Sequence, residues 1–422
     1  MSNLGGIDLN FLRNAAGINF TTSQEPATGV QQVGQGGVDP DVLPAQPVSQ
    51  NPLDQVLVRH LDRKQANAVP FMTEEEKEKK LAEALPEIKE LLDKRPDLKL
   101  TDAYKMYNAL GRTAFKEWLP VLAGRKDIGA QDIISMTKDL KANIGDKGAA
   151  ATAISSVAEV LLTRTDLSPK QVAGLFSDMG KTSSDGLRLQ GDIGRATKLL
   201  ATRKDMKPEE LGSLWHTLTK TTGSEEARSQ VFSIATDVMM KRGDIRPQQM
   251  AALWKTIKKN TKEEPNAIQI FGMAGEVLKH RGNIQPEQMA RLYKGMATHL
   301  RSDEAKKRAF SIASNALIAH PEIPPERMGQ LFAKSAGSAA SDDDKVSNFS
   351  AVTSRLDEFG EAPDGVINNF LDKRSPLAPF KSEPDGAQEG DGKPQVVQTP
   401  TAVQGGTEER KPPNIFANNQ QA

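Results

Sequence analysis

One phrase returns along this chain at an unvarying interval. It reads DLSPKQVAGLF from Asp166, DMKPEELGSLW from Asp205, DIRPQQMAALW from Asp244, NIQPEQMARLY from Asn283 and EIPPERMGQLF from Glu322, each copy 39 residues after the last. A constant period between about 20 and 50 residues identifies a tandem array in which each copy buries its apolar face against its neighbours. The series extends back to Asp127, and Asp97, 30 residues earlier, opens a shortened first copy.

Each unit reads as two helices. The first begins at the proline of the phrase, Pro169, Pro208, Pro247, Pro286 or Pro325, because a first-turn position tolerates the missing amide and welcomes the fixed φ. Apolar residues two before and three after each proline, such as Leu167 with Val172 and Ile245 with Met250, have the spacing of a hydrophobic staple. The unit at Asp127 has Ala130 in place of proline, which makes a weaker start. The second helix follows a polar connection whose acidic residues sit near the positive pole of the helix dipole. Its core columns are Ile154, Ile193, Phe232, Phe271, Phe310 and Phe349, and, seven residues on, Leu161, Leu200, Met239, Leu278 and Leu317, with Leu122 one unit earlier. A spacing of seven keeps both columns on one face.

The expected fold is therefore all-α, an α-solenoid of tandem αα-hairpin repeats with a 39-residue period, flanked by disordered tails. Residues 1–54 read as a disordered tail, 55–96 as an N-terminal helical cap and 97–372 as the repeat domain, with phrases starting near 97, 127, 166, 205, 244, 283 and 322. Residues 373–422 read as a second disordered tail. Both tails are rich in Gly, Pro and Gln and bury too little apolar surface to offset their ordering entropy. Within the cap, Thr73 to Glu76 forms a capping box, and Pro86 is expected to kink or split the helix that follows. A short closing helix is expected from Asp364.

Two recurring columns invite a functional reading. The aromatic row Phe176, Trp215, Trp254, Tyr293 and Phe332 ends each first-helix stripe, and Thr137 breaks it at its N-terminal end. It reads as core filling between hairpins rather than as a row of stacking platforms. Arg125, Arg164, Arg203, Arg242 and Arg281 lie two residues before the residue that opens each phrase, as does Arg95, while His320 takes that place in the last copy. In one reading each arginine satisfies carbonyls at its helix end and pairs with Asp127, Asp166, Asp205 or Asp244. In the other the five arginines form a ladder of guanidinium forks for a partner's carboxylates or phosphates.

Composition narrows the chemistry. The 55 basic residues match the 55 acidic ones, so no overall charge draws the chain to nucleic acid or an anionic membrane. Zero cysteines exclude disulfides, thiolate catalysis and cysteine-containing zinc sites. The five histidines are dispersed, and no HExxH, Walker A, GxSxG or GxGxxG motif is present. No catalytic residue, cofactor or metal is expected. The tripeptide Arg242-Gly243-Asp244 is accounted for by the repeat, which places Arg-Lys-Asp in the same slot at 203 to 205.

The expectation is a non-enzymatic protein-protein interaction scaffold or adaptor. Its alternatives are a secreted bacterial effector acting on host proteins in virulence, and a nucleic-acid-binding repeat protein using the arginine ladder. The chain is expected to be soluble with no membrane insertion, and cytoplasmic or exported without a classical signal peptide.

Overall fold

The computed structural model describes residues 51–337 and 339–358. The closing helix expected from Asp364, the C-terminal tail and all but the last four residues of the N-terminal tail lie outside the described residues. Among the described residues the regular elements are eighteen α-helices and one 3-10 turn at Val69–Phe71. They divide into two compact units between Lys105 and Met106, inside the helix Leu100–Leu110.

The first unit holds α1 (Pro52–His60), α2 (Arg63–Ala68), α3 (Glu74–Ala84), α4 (Pro86–Lys94) and the beginning of α5 (Leu100–Leu110). Helix α1 starts within the segment read as tail, because the Asn51 side chain accepts from the Leu53 amide at 3.0 Å and Pro52 occupies the first turn. Lys77 reaches back from α3 to Asp54 on α1 at 2.7 Å, with both side chains only 7% exposed. The capping box at Thr73 is formed in both directions, Glu76 N to Thr73 Oγ1 at 3.2 Å and Thr73 N to Glu76 Oε2 at 2.8 Å. Pro86 splits the helix rather than kinking it: α3 closes at Ala84, Leu85 leaves helical geometry at φ −135°, and the proline opens α4.

The second unit begins with the rest of α5 and with α6 (Arg112–Gly124), joined by Gly111 at φ 78°, a left-handed turn that a side chain would strain. Six hairpins follow. Their first helices are α7 (Ala130–Asn143), α9 (Pro169–Lys181), α11 (Pro208–Thr221), α13 (Pro247–Asn260), α15 (Pro286–Ala297) and α17 (Pro325–Ala336). Their second helices are α8 (Lys147–Thr163), α10 (Gly186–Thr202), α12 (Glu225–Lys241), α14 (Glu264–His280), α16 (Asp303–Ala319) and α18 (Asp342–Glu358).

Local chemistry sets these starts. The five prolines stand at the first helical position, and in the first four of these helices the third helical side chain accepts from the capping amide, as in Lys207 N to Glu210 Oε2 at 2.9 Å and Arg246 N to Gln249 Oε1 at 2.8 Å. In the weaker start at Ala130, Asp132 does the same for the Gly129 amide at 2.9 Å.

Each first helix packs beside the first helix of the next hairpin, and each second helix beside the next second helix. Equal ends meet. Near the proline ends Gln171 donates to Glu209 at 3.2 Å, and near the opposite ends Trp254 Nε1 donates to Thr221 Oγ1 at 2.8 Å. The hairpins are therefore stacked in parallel register, with their helix dipoles aligned. The aromatic row is core. Trp215, Trp254, Tyr293 and Phe332 are at most 2% exposed and meet Phe232, Phe271, Phe310 and Phe349 edge-on at 5.1 to 5.6 Å between ring centroids. Such aromatic pairs contribute about 0.5–1.5 kcal/mol each beyond their burial.

Candidate interaction surface

The arginine column lies between hairpins. Arg164, Arg203, Arg242 and Arg281 are between 1% and 7% exposed, and Arg125 is half-buried. Arg164 grips Asp166 through Nε and Nη2, both at 2.8 Å. Its Nη1 faces the carbonyls of Leu200, Arg203 and Met206 at 3.1, 3.0 and 3.0 Å. Those carbonyls surround the C-terminal end of α10, the second helix of the following hairpin. The arginine therefore caps its neighbour's helix, not its own as the sequence reading had it.

Arg203 repeats the arrangement on Met239 and Arg242, and Arg242 repeats it on Leu278 and Arg281. Arg125 reaches Leu167 at 3.0 Å, and Arg281 reaches Leu317 and His320. The tripeptide at 242 to 244 is one of these clasps, its arginine and aspartate joined at 2.7 Å. The guanidinium forks of the ladder are thus directed into the protein.

The electrostatics follow from this geometry. The hydrogen bond from Arg203 holds the Asp205 carboxyl down at about 2, and the equivalent bonds from Arg164 and Arg242 depress Asp166 and Asp244. At the last rung Asn283 stands where the others have aspartate, and burial lowers the pKa of Arg281 instead.

A second set of clasps holds the opposite ends of the second helices. The carboxylate of Glu225 on α12 accepts from the amides of Ser184 and Asp185 ahead of α10, at 2.9 and 3.1 Å. Asp303 serves the amides of Lys262 and Glu263, the latter at 2.8 Å, and Asp342 those of Arg301 and Ser302 at 2.9 and 2.8 Å. Three residues on, a cation caps the preceding first helix. Arg228 donates to the Thr182 carbonyl at 2.8 Å, Lys306 to Asn260 at 2.9 Å and Lys345 to His299 at 2.8 Å. Arg228 also lies over the Trp215 ring at 4.6 Å.

With these groups engaged internally, the exposed face of the first helices carries charge of mainly one sign. Beyond their first turns α11, α13, α15 and α17 contain no aspartate or glutamate, yet they carry His216, Lys220, Lys255, Lys258, Lys259, Arg291, Lys294 and Lys334. Lys258 pairs with Glu264 at 3.4 Å and Arg291 with Glu326 at 3.6 Å. Among the described residues His216, Lys220, Lys255, Lys259 and Lys294 make no ion pair, and all five are exposed. Earlier helices break the band, since α7 carries Asp139 and α9 carries Asp178, the latter paired with Lys181 at 2.9 Å.

The dipole explains only part of this sorting. A helix C-terminus has the equivalent of about half a negative charge, whereas α13 places two lysines in its last turn, of which one is paired, and Lys255 a turn earlier. A surplus of positive charge remains across successive helices. Sequence columns did not show it, because each column is mixed over six copies. The available signal was the absence of carboxylates beyond the first turn of four consecutive first helices.

The second-helix face differs. One groove of about 320 Å³ is lined by Arg195, Lys198, Asp237, Met240, Lys241 and Lys279. Three carboxylates offset most of its four cations: Asp237 itself, Asp192 at 3.2 Å from Arg195, and Glu276 at 2.6 Å from Lys279. A second groove of about 570 Å³ is lined chiefly by Ser311, Ser347, Ser350, Ser354 and Ile312, and its Arg308 pairs with Asp343 at 2.8 Å.

Among the described residues no cluster of three or more His, Asp or Glu is placed to hold a metal ion, and no helix is long and apolar enough to cross a membrane. No protein-family model, curated protein or solved structure matches this chain.

Proposed function

We propose that this protein is a non-enzymatic scaffold that binds another protein through the exposed face of its first helices. The observation that carries this reading is the band of unpaired cations on α11, α13 and α15, set on helices whose mutual positions are held by internal clasps. A frame of this kind presents side chains at fixed intervals and loses little conformational entropy on binding. Repeat arrays expose large surfaces, which suits them to holding partners.

The test is an affinity capture with the full chain from extracts of its source organism, run with and without nuclease. The expected result is one protein that forms a stoichiometric complex again when both components are purified. Retention of nucleic acid alone, released at moderate salt, would overturn the reading.

A further inference from the structure

Resting on that scaffold reading, we propose that the basic band recognises an acidic polypeptide segment in an extended, polyproline II-like conformation, with a carboxylate at every third residue. The argument begins with geometry. His216, Lys255 and Lys294 occupy the same position on three neighbouring parallel helices, and Lys220 and Lys259 form a second row one turn further on. Packed helices lie about 8–10 Å apart. A polyproline II chain advances about 3.1 Å per residue with three residues per turn, so every third side chain returns to the same side after about 9.3 Å. Carboxylates at that interval meet the row of His216, Lys255 and Lys294 in register. A β-strand, whose faces alternate every second residue, does not.

Chemistry selects protein over nucleic acid. Sequence-tolerant single-strand binding uses aromatic platforms beside a basic groove. Here the tryptophans Trp118, Trp215 and Trp254 and the aromatics Tyr293 and Phe332 are all buried. The band also runs beside carboxylates, because Glu209, Glu210 and Glu287 occupy the proline ends of the same helices. That arrangement admits a single narrow anionic chain and repels a broad one. The unpaired cations are exposed lysines on flexible stems, and such point charges suit separate carboxylates better than the planar fork that arginine offers phosphate.

The probe is a fluorescent peptide of roughly 15 residues with glutamate at every third position among proline and glycine, compared with a peptide of the same composition whose glutamates are contiguous. Anisotropy titrations of the full chain are expected to show saturable binding, with the spaced peptide at least about fivefold tighter than the block peptide. The variant K220Q/K255Q/K259Q/K294Q alters only exposed side chains and is expected to weaken the spaced peptide about tenfold, equivalent to about 1.4 kcal/mol. The control K198Q/K204Q/K241Q is expected to stay within about twofold of the unmodified chain, since even tenfold requires about 1.4 kcal/mol.

Absent saturable binding, equal affinity for the two peptides, or equal loss in the two variants would overturn the proposal. Tighter binding of a single-stranded oligothymidylate through the same four lysines would also overturn it and assign the band to nucleic acid. A captured partner protein that the quadruple variant binds less well, with the two peptides bound equally, leaves the scaffold reading standing and removes only this inference.

Discussion

The Nη1 of Arg164 stands 3.0 Å from the carbonyl oxygen of Arg203, its counterpart 39 residues further on. Arg164, Arg203, Arg242 and Arg281 are thus each both a cap for the next second helix and a residue whose carbonyl accepts from the arginine before it.

Removal of one such donor leaves several buried carbonyls without a partner, at a cost of about 1–3 kcal/mol for each unsatisfied group. Arg203→Met is expected to destabilise the second unit by about 3 kcal/mol, read as a lowered urea midpoint. Asp205→Asn leaves the carbonyl contacts in place and is expected to cost about 1 kcal/mol, because that carboxylate is nearly half exposed. Asn283→Asp supplies the carboxylate missing from the last rung and is expected to stabilise by a few tenths to about 1 kcal/mol.

The clasps also set an acid limit. Hydrogen bonds from the arginines depress the carboxyls of Asp205, Asp166 and Asp244 in the folded chain, Asp205 to about 2 against an ordinary value of 3.8. A depressed group contributes fully above its unfolded pKa and loses that contribution as pH falls towards its folded one. Stability is therefore expected to be level from neutrality down to about pH 4 as far as these groups are concerned, and to decline between about pH 4 and 2. In the triple variant D166N/D205N/D244N that decline is expected to be shallower when followed by circular dichroism.

Tyr293 and Thr261 share a buried hydroxyl contact, and burial first of all pushes the phenol of Tyr293 up to about 12. Tyr293→Phe is expected to cost about 1–2 kcal/mol, because Thr261 is left with an unmet hydroxyl at 3% exposure. The double variant Y293F/T261V removes both partners and is expected to recover most of that loss, giving a coupling near 1 kcal/mol in a double-mutant cycle.

Thr137 occupies the aromatic column's first place, where its hydroxyl is buried with no hydrogen-bond partner. Thr137→Val keeps the shape and removes the unmet group, so the variant is expected to be more stable by about 1 kcal/mol in urea denaturation.

The frame was legible in the sequence because its determinants are local. Pro169 or Pro247 marks a helix start by itself, and the buried columns repeat at a spacing that one face of a helix imposes. The pairing of Arg164 with Asp166 was readable for the same reason, the two being neighbours in the chain. The carbonyls on the other side of that arginine lie 36 to 42 residues away, and a backbone acceptor leaves no mark in a side-chain pattern. Glu225 presents the same difficulty, since its role is visible only when the amides of Ser184 and Asp185 are seen beside it. The basic band needed comparison of whole helices, because Lys220, Lys255 and Lys294 do not share one position in every copy.

The forward reach of the arginines has a consequence for the order in which the protein can be made. A ribosome releases the chain from its N-terminus, and Arg164 finds its last acceptor, the Met206 carbonyl, 42 residues later. A hairpin that ends in Arg164, Arg203, Arg242 or Arg281 therefore keeps that guanidinium in water, without its carbonyl acceptors, until the following hairpin has arrived. The array is completed as a zipper closes, each tooth locked by its successor, and a chain interrupted in mid-synthesis is left loose at its growing end.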